Sequence, residues 1–164
     1  MKKILFIRHA KSDWSNNSLS DHNRILTKKG EEEALLMAKR LKGKNLFPEL
    51  FITSSAIRAF MTCKIMKDEL NNDLDIIINP KIYHDGINGI LESIESVDNN
   101  MNFIAIFGHN PTMHNIANQI SSNPIYNFPT CSTMLSSSNI EKWKEFNFDT
   151  THFLIHDFPG NNIK

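Results

Sequence analysis

Short apolar runs alternate with helix-like segments along most of this 164-residue chain, and this alternation limits the folds that it can adopt. Each run has the length of a β-strand and leads into polar, glycine or proline residues. The segments between the runs carry apolar residues at helical spacing, as Ala34, Ala38 and Leu41 do. The four runs are residues 3–7, 50–53, 75–78 and 102–107. Strands separated by helices favour a parallel sheet, because a parallel connection needs a crossover long enough to hold a helix.

The end of the chain follows a different pattern. Residues 133–138 and 151–157 alternate like two strands, which are predicted to pair antiparallel. We therefore expect an α/β fold, namely a three-layer α/β/α sandwich with a mostly parallel central sheet and an antiparallel C-terminal strand pair. The length suits one domain and no repeat or low-complexity linker divides it, so residues 1–164 are predicted to form a single domain.

The composition narrows the class of protein. Lys and Arg number 18, as do Asp and Glu, so no strong net charge favours nucleic acid or an anionic membrane. No apolar run approaches the length of a membrane span, and the first run is too short for a signal peptide. Cys63 and Cys131 lie far apart and match no metal spacing, which favours free thiols in a reducing compartment. We expect a cytoplasmic monomer that binds neither nucleic acid nor membranes.

No metal or cofactor is expected. His152 and His156 are four residues apart, but they fall in a predicted strand without a nearby carboxylate or cysteine pattern, so we interpret them as surface histidines. The sequence has no glycine-rich phosphate loop of the Walker type. Four arginines stand against fourteen lysines, which indicates that most arginines occupy positions needing their forked guanidinium. Arg40, in a charged helix face, is expected to be the exception.

Arg8 and His9 follow directly on the first apolar run, at the carboxyl end of the predicted strand. Ligands of open α/β sheets bind beyond the carboxyl ends of the strands. A guanidinium grips two phosphate oxygens, and an imidazole beside it can attack phosphorus or carry protons, so the pair suits phosphoryl chemistry. By itself the pair is better explained as a charged, solvated strand end.

Two further strand ends carry matching residues. The second run leads to Arg58, and the fourth runs into Gly108-His109-Asn110. Ser54 and Ser55, which precede Arg58, are interpreted as caps of the following helix. Since these strand ends share one edge of a parallel sheet, two arginines and two histidines are expected to meet there. The predicted catalytic residues are Arg8, His9, Arg58 and His109.

Four motifs occur in order along the chain. They are Arg8-His9-Ala10-Lys11-Ser12-Asp13-Trp14, then Asp21-x-x-Arg24-x-Leu26-Thr27-x-x-Gly30, then Thr53-Ser54-Ser55-x-x-Arg58-Ala59-x-x-Thr62, and finally Gly108-His109-Asn110-Pro111. Together they resemble the histidine phosphatase superfamily, and within it the small branch of bacterial phosphohistidine phosphatases of the SixA type. The resemblance covers essentially the whole predicted domain.

The resemblance implies a mechanism of two steps. His9 matches the nucleophile of the family, which attacks phosphorus and becomes a phosphohistidine that water then hydrolyses. Arg8 and Arg58 match the arginines that bind phosphate, and His109 matches the second histidine, which would donate to the same oxygens. The expected substrate-binding residues are Arg8, Arg58, Ser12, Arg24 and Asn110.

Several residues in these motifs allow two interpretations. Arg24 and Asp21 either orient the polar loop of residues 11–25 around the site or form a simple surface ion pair. Ser12 either adds a hydroxyl to phosphate or caps the loop. Trp14 is either a wall of the pocket or an exposed aromatic of the loop.

One residue of the larger phosphatases and mutases of the family has no clear equivalent, the glutamate that acts as general acid after the third strand. Tyr83-His84-Asp85 occupies this region, and Asp85 or His84 stays open as a substitute acid. Loss of a general acid costs about 10²–10⁴-fold in rate, and it should affect alkoxide leaving groups most. An imidazole departs as a neutral ring near pH 7 and needs the acid less. The sequence therefore favours phosphohistidine on a protein as the substrate.

Two other functions remain open. The first is a general phosphomonoesterase that acts on sugar phosphates or other small phosphate esters. The second is a non-catalytic module that binds phosphorylated partners, and the complete set of two arginines and two histidines argues against it. The expected partner is thus a phosphorylated protein or a small phosphate ester.

Overall fold

One six-stranded sheet organises the chain in a computed structural model that describes residues 1–162, and the last two residues of the predicted domain lie outside this described part. The strands are β1 (Lys2–Arg8), β2 (Leu50–Thr53), β3 (Ile76–Ile78), β4 (Phe103–Gly108), β5 (Thr133–Ser138) and β6 (Thr151–Asp157). Their order across the sheet is β3-β2-β4-β1-β5-β6. The first four strands pair in parallel, and β5 pairs antiparallel with both β1 and β6.

Helices cover both faces of this sheet. They are α1 (Lys28–Gly43), α2 (Ile57–Leu70), α3 (Lys81–His84), α4 (Ile87–Glu95) and α5 (Thr112–Ile120). Successive side chains of β1 point to opposite faces. Leu5 and Ile7 are buried with residues of α1 and α2, whereas Ile4 and Phe6 are buried with residues of α4 and α5. The predicted three-layer α/β fold is therefore confirmed.

The segment after β1 is tied to the start of α1. The side chain of Thr27 accepts the backbone N–H of Gly30 and so caps the helix, as its position in the sequence predicts. The backbone N–H of Thr27 also donates to the carbonyl of Lys11 at 2.9 Å. Ser12 and Leu26 form an isolated antiparallel bridge beside this contact. These bonds hold both ends of the polar loop close to the carboxyl edge of the sheet.

The prediction that Arg40 is the exception, an arginine that does not need its forked guanidinium, is wrong. Its guanidinium forms an ion pair of 3.1 Å with Asp157, which is 3% exposed, and donates to the carbonyl of Phe158 at 3.0 Å. The chain after β6 folds back onto α1, so Arg40 satisfies a buried carboxylate and a turn carbonyl. This long-range contact has no signal in the local sequence.

The two histidines of β6 differ from each other. His152 is exposed, as expected, whereas His156 is half-buried and its ring stacks on Phe128 with 4.9 Å between centroids. The interpretation of His156 as a surface residue is therefore wrong. Within residues 1–162, no group of three or more histidine, cysteine or acidic side chains is arranged to hold a metal ion. In the same part of the chain, every helix is too short or too polar to cross a membrane.

Candidate active site

The register of the two central strands brings two histidines together at the carboxyl edge of the sheet. Arg8 at the end of β1 pairs with Gly108 at the end of β4. The residues that follow, His9 and His109, therefore lie side by side. The backbone N–H of His9 donates to the carbonyl of Gly108 at 3.0 Å. The imidazole centroids of His9 and His109 are 5.2 Å apart. The sheet thus brings the ends of β1 and β4 together, as predicted.

The ring of His9 is fixed in one orientation. It is 7% exposed, and its Nδ1–H donates to the carbonyl of Ala10 at 2.7 Å. The backbone beyond it is held as well, because the N–H of Ala10 donates to Oγ1 of Thr62, which in turn donates to the carbonyl of Arg58. With the proton on Nδ1, the lone pair of the imidazole resides on Nε2.

Arg58 meets this lone pair directly. Its Nε–H donates to Nε2 of His9 at 3.3 Å. Its two terminal nitrogens donate to Asp21, one to the backbone carbonyl at 2.7 Å and one to the carboxylate at 3.1 Å. The side chain is buried and held by three bonds, so the guanidinium is aligned with the nitrogen that would attack.

Both histidines of the site are neutral near pH 7. Burial lowers the pKa of His9 to about 3, with smaller contributions from the charges of His109, Arg58 and Arg8 and against the opposing bond to Ala10. Burial, followed by the charge of Arg58, lowers the pKa of His109 to about 4. A neutral imidazole keeps a free nitrogen, so His9 meets the first requirement of a nucleophile.

His109 is oriented by Ser54, a residue that the sequence assigned to helix capping alone. Oγ of Ser54 accepts the N–H of Ala56 at 3.2 Å and lies 2.7 Å from Nε2 of His109. The Ser54 hydroxyl can therefore donate to Nε2, which leaves the ring proton on Nδ1. That Nδ1 atom is buried and has no partner within residues 1–162. A buried donor of this kind is suited to an oxygen of a bound ligand.

Arg8 and Asn110 share one anchor. Both donate to the carbonyl of Phe128, Arg8 at 3.0 Å and Asn110 at 2.9 Å. Nε of Arg8 and Oδ1 of Asn110 are buried and unpartnered in the described part of the chain. Burial lowers the pKa of Arg8, and the charge of Arg58 adds to this effect. Two guanidiniums that line the same cleft create a site that attracts an anion.

These side chains line a cleft of about 550 Å³, referred to below as the strand-end cleft. Its lining residues are Arg8, His9, Lys11, Ser12, Trp14, Arg24, Lys29, Glu33, Arg58, His109, Asn110 and Thr130. Every residue of the predicted catalytic and substrate-binding sets therefore lies in one place. The sequence missed Lys29 and Glu33, which reach the cleft from the first turns of α1. Five cationic side chains against one carboxylate make the cleft positive, although the whole chain carries no net charge.

Asp21 links the two arginines behind this cleft. Its carboxylate accepts from Arg24 and from Arg58, each at 3.1 Å, and from the hydroxyl of Tyr83 at 2.7 Å. The bond from Tyr83, together with the charge of Arg58, lowers the pKa of Asp21 to about 2. Arg24 is 7% exposed and also donates to Oγ of Ser12. Of the two interpretations of Arg24 and Asp21, the contacts favour orientation of the loop around the site.

The residues considered as a substitute acid lie outside the lining of the strand-end cleft. His84 and Asp85 are both exposed, and the ring of His84 packs edge-on against Tyr83 with 5.1 Å between centroids. Tyr83 instead contacts the site, with its ring 5.5 Å from that of His109 and its hydroxyl on Asp21. An acid role for Asp85 or His84 stays a prediction. No spacing or charge pattern in the sequence indicates the contacts of Tyr83, since they depend on how α3 packs.

His22 and Ser55 extend the same cluster. Nε2 of His22 lies 2.9 Å from Oγ of Ser55, and its ring packs edge-on against Tyr83 with 4.9 Å between centroids. Ser55 therefore anchors the short helix at Asp21–Asn23. The capping role predicted for Ser55 is wrong, because α2 begins after Ala56 without a side-chain cap. The polar loop is thus fastened to the start of α2.

Residues 4–83 match the model of the histidine phosphatase superfamily (branch 1). An uncharacterised chloroplastic protein of Arabidopsis thaliana is 28% identical over 155 residues, which cover 88% of this chain and 70% of that protein.

Two solved structures have a similar fold over nearly their whole length. A proposed phosphohistidine phosphatase SixA from Agrobacterium tumefaciens superposes with a TM-score of 0.81 at 21% identity, over 97% of this chain and 99% of that one. A protein histidine phosphatase SixA complexed with tungstate superposes with a TM-score of 0.80 at 19% identity, over 96% of this chain and 97% of that one. At this level of identity the likeness establishes the shared fold.

Proposed function

We propose that this chain, whose residues 4–83 match the histidine phosphatase superfamily, is a phosphatase that forms a covalent phosphohistidine on His9. The observation that carries the proposal is the orientation of the His9 ring. Its Nδ1–H is committed to the carbonyl of Ala10, and its Nε2 lies against Nε of Arg58. Such a ring presents a lone pair, held in place, to an anion bound in the strand-end cleft.

In the first step the phosphoryl group lies between the guanidiniums of Arg8 and Arg58. The Nε–H of Arg58 turns from Nε2 of His9 to a phosphoryl oxygen, which frees the lone pair of Nε2. Nε2 then attacks phosphorus, a P–N bond forms, and the bond to the leaving group breaks with its electron pair going to that group. The unpartnered donors, Nε of Arg8 and Nδ1 of His109, bind phosphoryl oxygens. Such transfer depends almost wholly on positioning and charge stabilisation, and one well-placed arginine can contribute about 10³–10⁵ in rate.

In the second step water attacks the phosphorus of the phosphoenzyme. The electron pair of the P–N bond returns to Nε2 of His9, inorganic phosphate leaves, and the proton lost by water passes to solvent. The tungstate held by the similar SixA structure is a tetrahedral oxyanion, which supports a phosphate-like ligand for this cleft. The low pKa of His9 supports turnover as well, because the released imidazole stays neutral.

The preferred substrate in this proposal is phosphohistidine on a protein. Within residues 1–162, the carboxylates at or behind the cleft are poor general acids for an alkoxide. Asp21 is ionised near pH 7, since its pKa is lowered to about 2. Glu33 is only partly buried and lies 3.8 Å from Lys29. An imidazole leaving group that carries a proton on its distal nitrogen departs as a neutral ring, so it needs this acid least.

The test compares kcat/KM for a phosphohistidine peptide, p-nitrophenyl phosphate and a sugar phosphate. We expect kcat/KM for the phosphohistidine peptide to exceed that for the sugar phosphate by about 10² or more. A factor of about 10² is the smallest rate loss expected for a substrate that needs the missing general acid. The nitrophenolate is a good leaving group and should lie between them. Turnover of the sugar phosphate without activity on phosphohistidine would refute the preference.

A small phosphate ester is the second candidate substrate. The cleft volume of about 550 Å³ lies within the range of small-molecule sites, and Lys11 and Lys29 add positive charge at the cleft. The same comparison separates the two, since an esterase would favour the sugar phosphate.

A further inference from the structure

Trp14 is exposed in an unusual place. It has 72% of its surface open to solvent, although it lines the strand-end cleft with His9. The other tryptophan, Trp143, is fully buried in the core. Tryptophan is highly buried on average, so a tryptophan left open beside a polar, cationic cleft calls for a reason.

One face of the Trp14 ring is already covered. The guanidinium carbon of Arg24 lies 3.4 Å from the ring centroid, a close cation–π contact. Arg24 itself cannot turn freely, because it donates to Asp21 at 3.1 Å and to Oγ of Ser12. The indole therefore rests on a planar group whose own orientation is fixed, and its second face remains open.

The position of the ring is linked to that of the nucleophile. Asp21, which holds Arg24, also accepts from Arg58 at 3.1 Å. Arg58 in turn donates to Nε2 of His9 at 3.3 Å. One cation–π contact and a short series of hydrogen bonds thus connect the indole to the attacking nitrogen, so the two are held in one network beside the same cleft.

We propose that the open face of Trp14 is a stacking subsite for a planar leaving group. The inference rests on the proposed function, because it takes the phosphoryl group to lie against His9. For a phosphohistidine substrate, the group that stacks is the imidazole ring that departs. The electron-rich indole attracts a planar ring, and more strongly one that carries the proton needed for departure. Residue 14 would then favour aromatic over alkyl leaving groups.

A matched pair of inert ligands tests this subsite. Phenylphosphonate and methylphosphonate carry the same phosphate-like group, and only the first has a ring. Dissociation constants would be measured by calorimetry for the wild type, Trp14→Leu, Trp14→Phe and Tyr126→Leu. Tyr126 is 89% exposed and lies outside the lining of the cleft, so its variant controls for the loss of an exposed aromatic.

The wild type should bind phenylphosphonate about five- to tenfold more tightly than methylphosphonate, as expected for one aromatic stack. Trp14→Leu should abolish this ratio, whereas Trp14→Phe and Tyr126→Leu should keep most of it. If both phosphonates bind and Trp14→Leu leaves the ratio unchanged, the stacking subsite is refuted and the phosphoryl site stands. If neither phosphonate binds to the wild type, the proposed function fails, and the subsite fails with it.

Discussion

The Nε–H of Arg58 donates to Nε2 of His9 at 3.3 Å, so the guanidinium contacts the atom of the imidazole that carries the lone pair. This contact orders the His9 ring before substrate binds. It also places the positive charge of Arg58 beside the position that a phosphoryl oxygen would occupy. It also contributes to the low pKa of His9, because a neighbouring cation disfavours the imidazolium. Nucleophile and phosphate-binding group thus form one unit.

Replacement of Arg58 should remove most of the activity. We expect Arg58→Ala to lower kcat/KM by about 10³ or more, in the range of a lost phosphoryl-binding arginine. Arg58→Lys should recover only part, because an ammonium lacks the fork that reaches His9 and Asp21 together. Arg40→Lys, with its arginine on Asp157 and away from the cleft, is the control and should keep wild-type kcat/KM. Activity of Arg58→Ala within tenfold of wild type would contradict this role.

The carboxylate of Asp21 should matter although it touches no substrate in this account. Asp21→Asn removes the charge that holds Arg24 and Arg58, and we expect kcat/KM to fall by about tenfold or more. Tyr83→Phe keeps the ring beside His109 and removes only the hydroxyl on Asp21. Its loss should be smaller, about two- to tenfold. Steady-state kinetics on one substrate would measure both, and equal activity of Asp21→Asn and wild type would exclude the positioning role.

His9 should stay neutral through the physiological range of pH. Since its pKa is lowered to about 3, its ring resonances should not titrate between pH 8 and pH 5 in an NMR titration. A midpoint near 6.5 would contradict the buried, arginine-flanked environment.

The low pKa of His9 also makes the stability of the protein depend on pH. The histidine takes up a proton in the unfolded chain at a pH where it stays neutral in the folded chain. Stability should therefore fall as the pH drops below about 6.5, by up to about 1.4 kcal/mol per pH unit for each such histidine.

The close approach of Gly30 to the polar loop predicts a stability effect with a matched control. A Cβ on Gly30 would collide with the backbone carbonyl of Lys11, whereas a Cβ on Gly43, in the same helix, would meet nothing within 4 Å. Gly30→Ala should lose about 1–3 kcal/mol of unfolding free energy and also lower kcat/KM, because Lys11 and the loop must shift. Gly43→Ala should be neutral or gain up to about 1 kcal/mol. Chemical denaturation measures the unfolding free energy of both variants. Equal values would show that the loop moves away from residue 30 without loss of stability.

The sequence predicted the fold and the centre of the site because both follow from simple rules. Apolar runs separated by helical segments required a parallel sheet, and the carboxyl ends of its strands had to share an edge. Arg8, His9, Arg58 and His109 therefore met as expected. Residues 4–83 match the model of the histidine phosphatase superfamily, which agrees with the predicted resemblance and with the prediction of an enzyme with a histidine nucleophile.

The residues that escaped prediction depend on contacts between distant segments. Tyr83 reaches Asp21 across 62 positions, and Arg40 reaches Asp157 across 117. Neither contact leaves a spacing or a charge pattern in the local sequence. Ser54 was predicted to cap α2, but that helix has no side-chain cap; the hydroxyl instead accepts the N–H of Ala56, the residue before the helix, and contacts His109. Side-chain partners of this kind require the packed structure.

The covalent intermediate on His9 is the central claim, and trapping it is the most direct test. The wild type, His9→Ala and His109→Ala would each be mixed with a radiolabelled phosphohistidine peptide and quenched within the first turnover. Retained label would then be tested for lability in acid and stability in base. We expect an acid-labile, base-stable phosphoenzyme in the wild type, its complete absence in His9→Ala, and slower formation in His109→Ala. Release of phosphate by the wild type with no labelled protein at any time, or undiminished labelling of His9→Ala, would contradict the account.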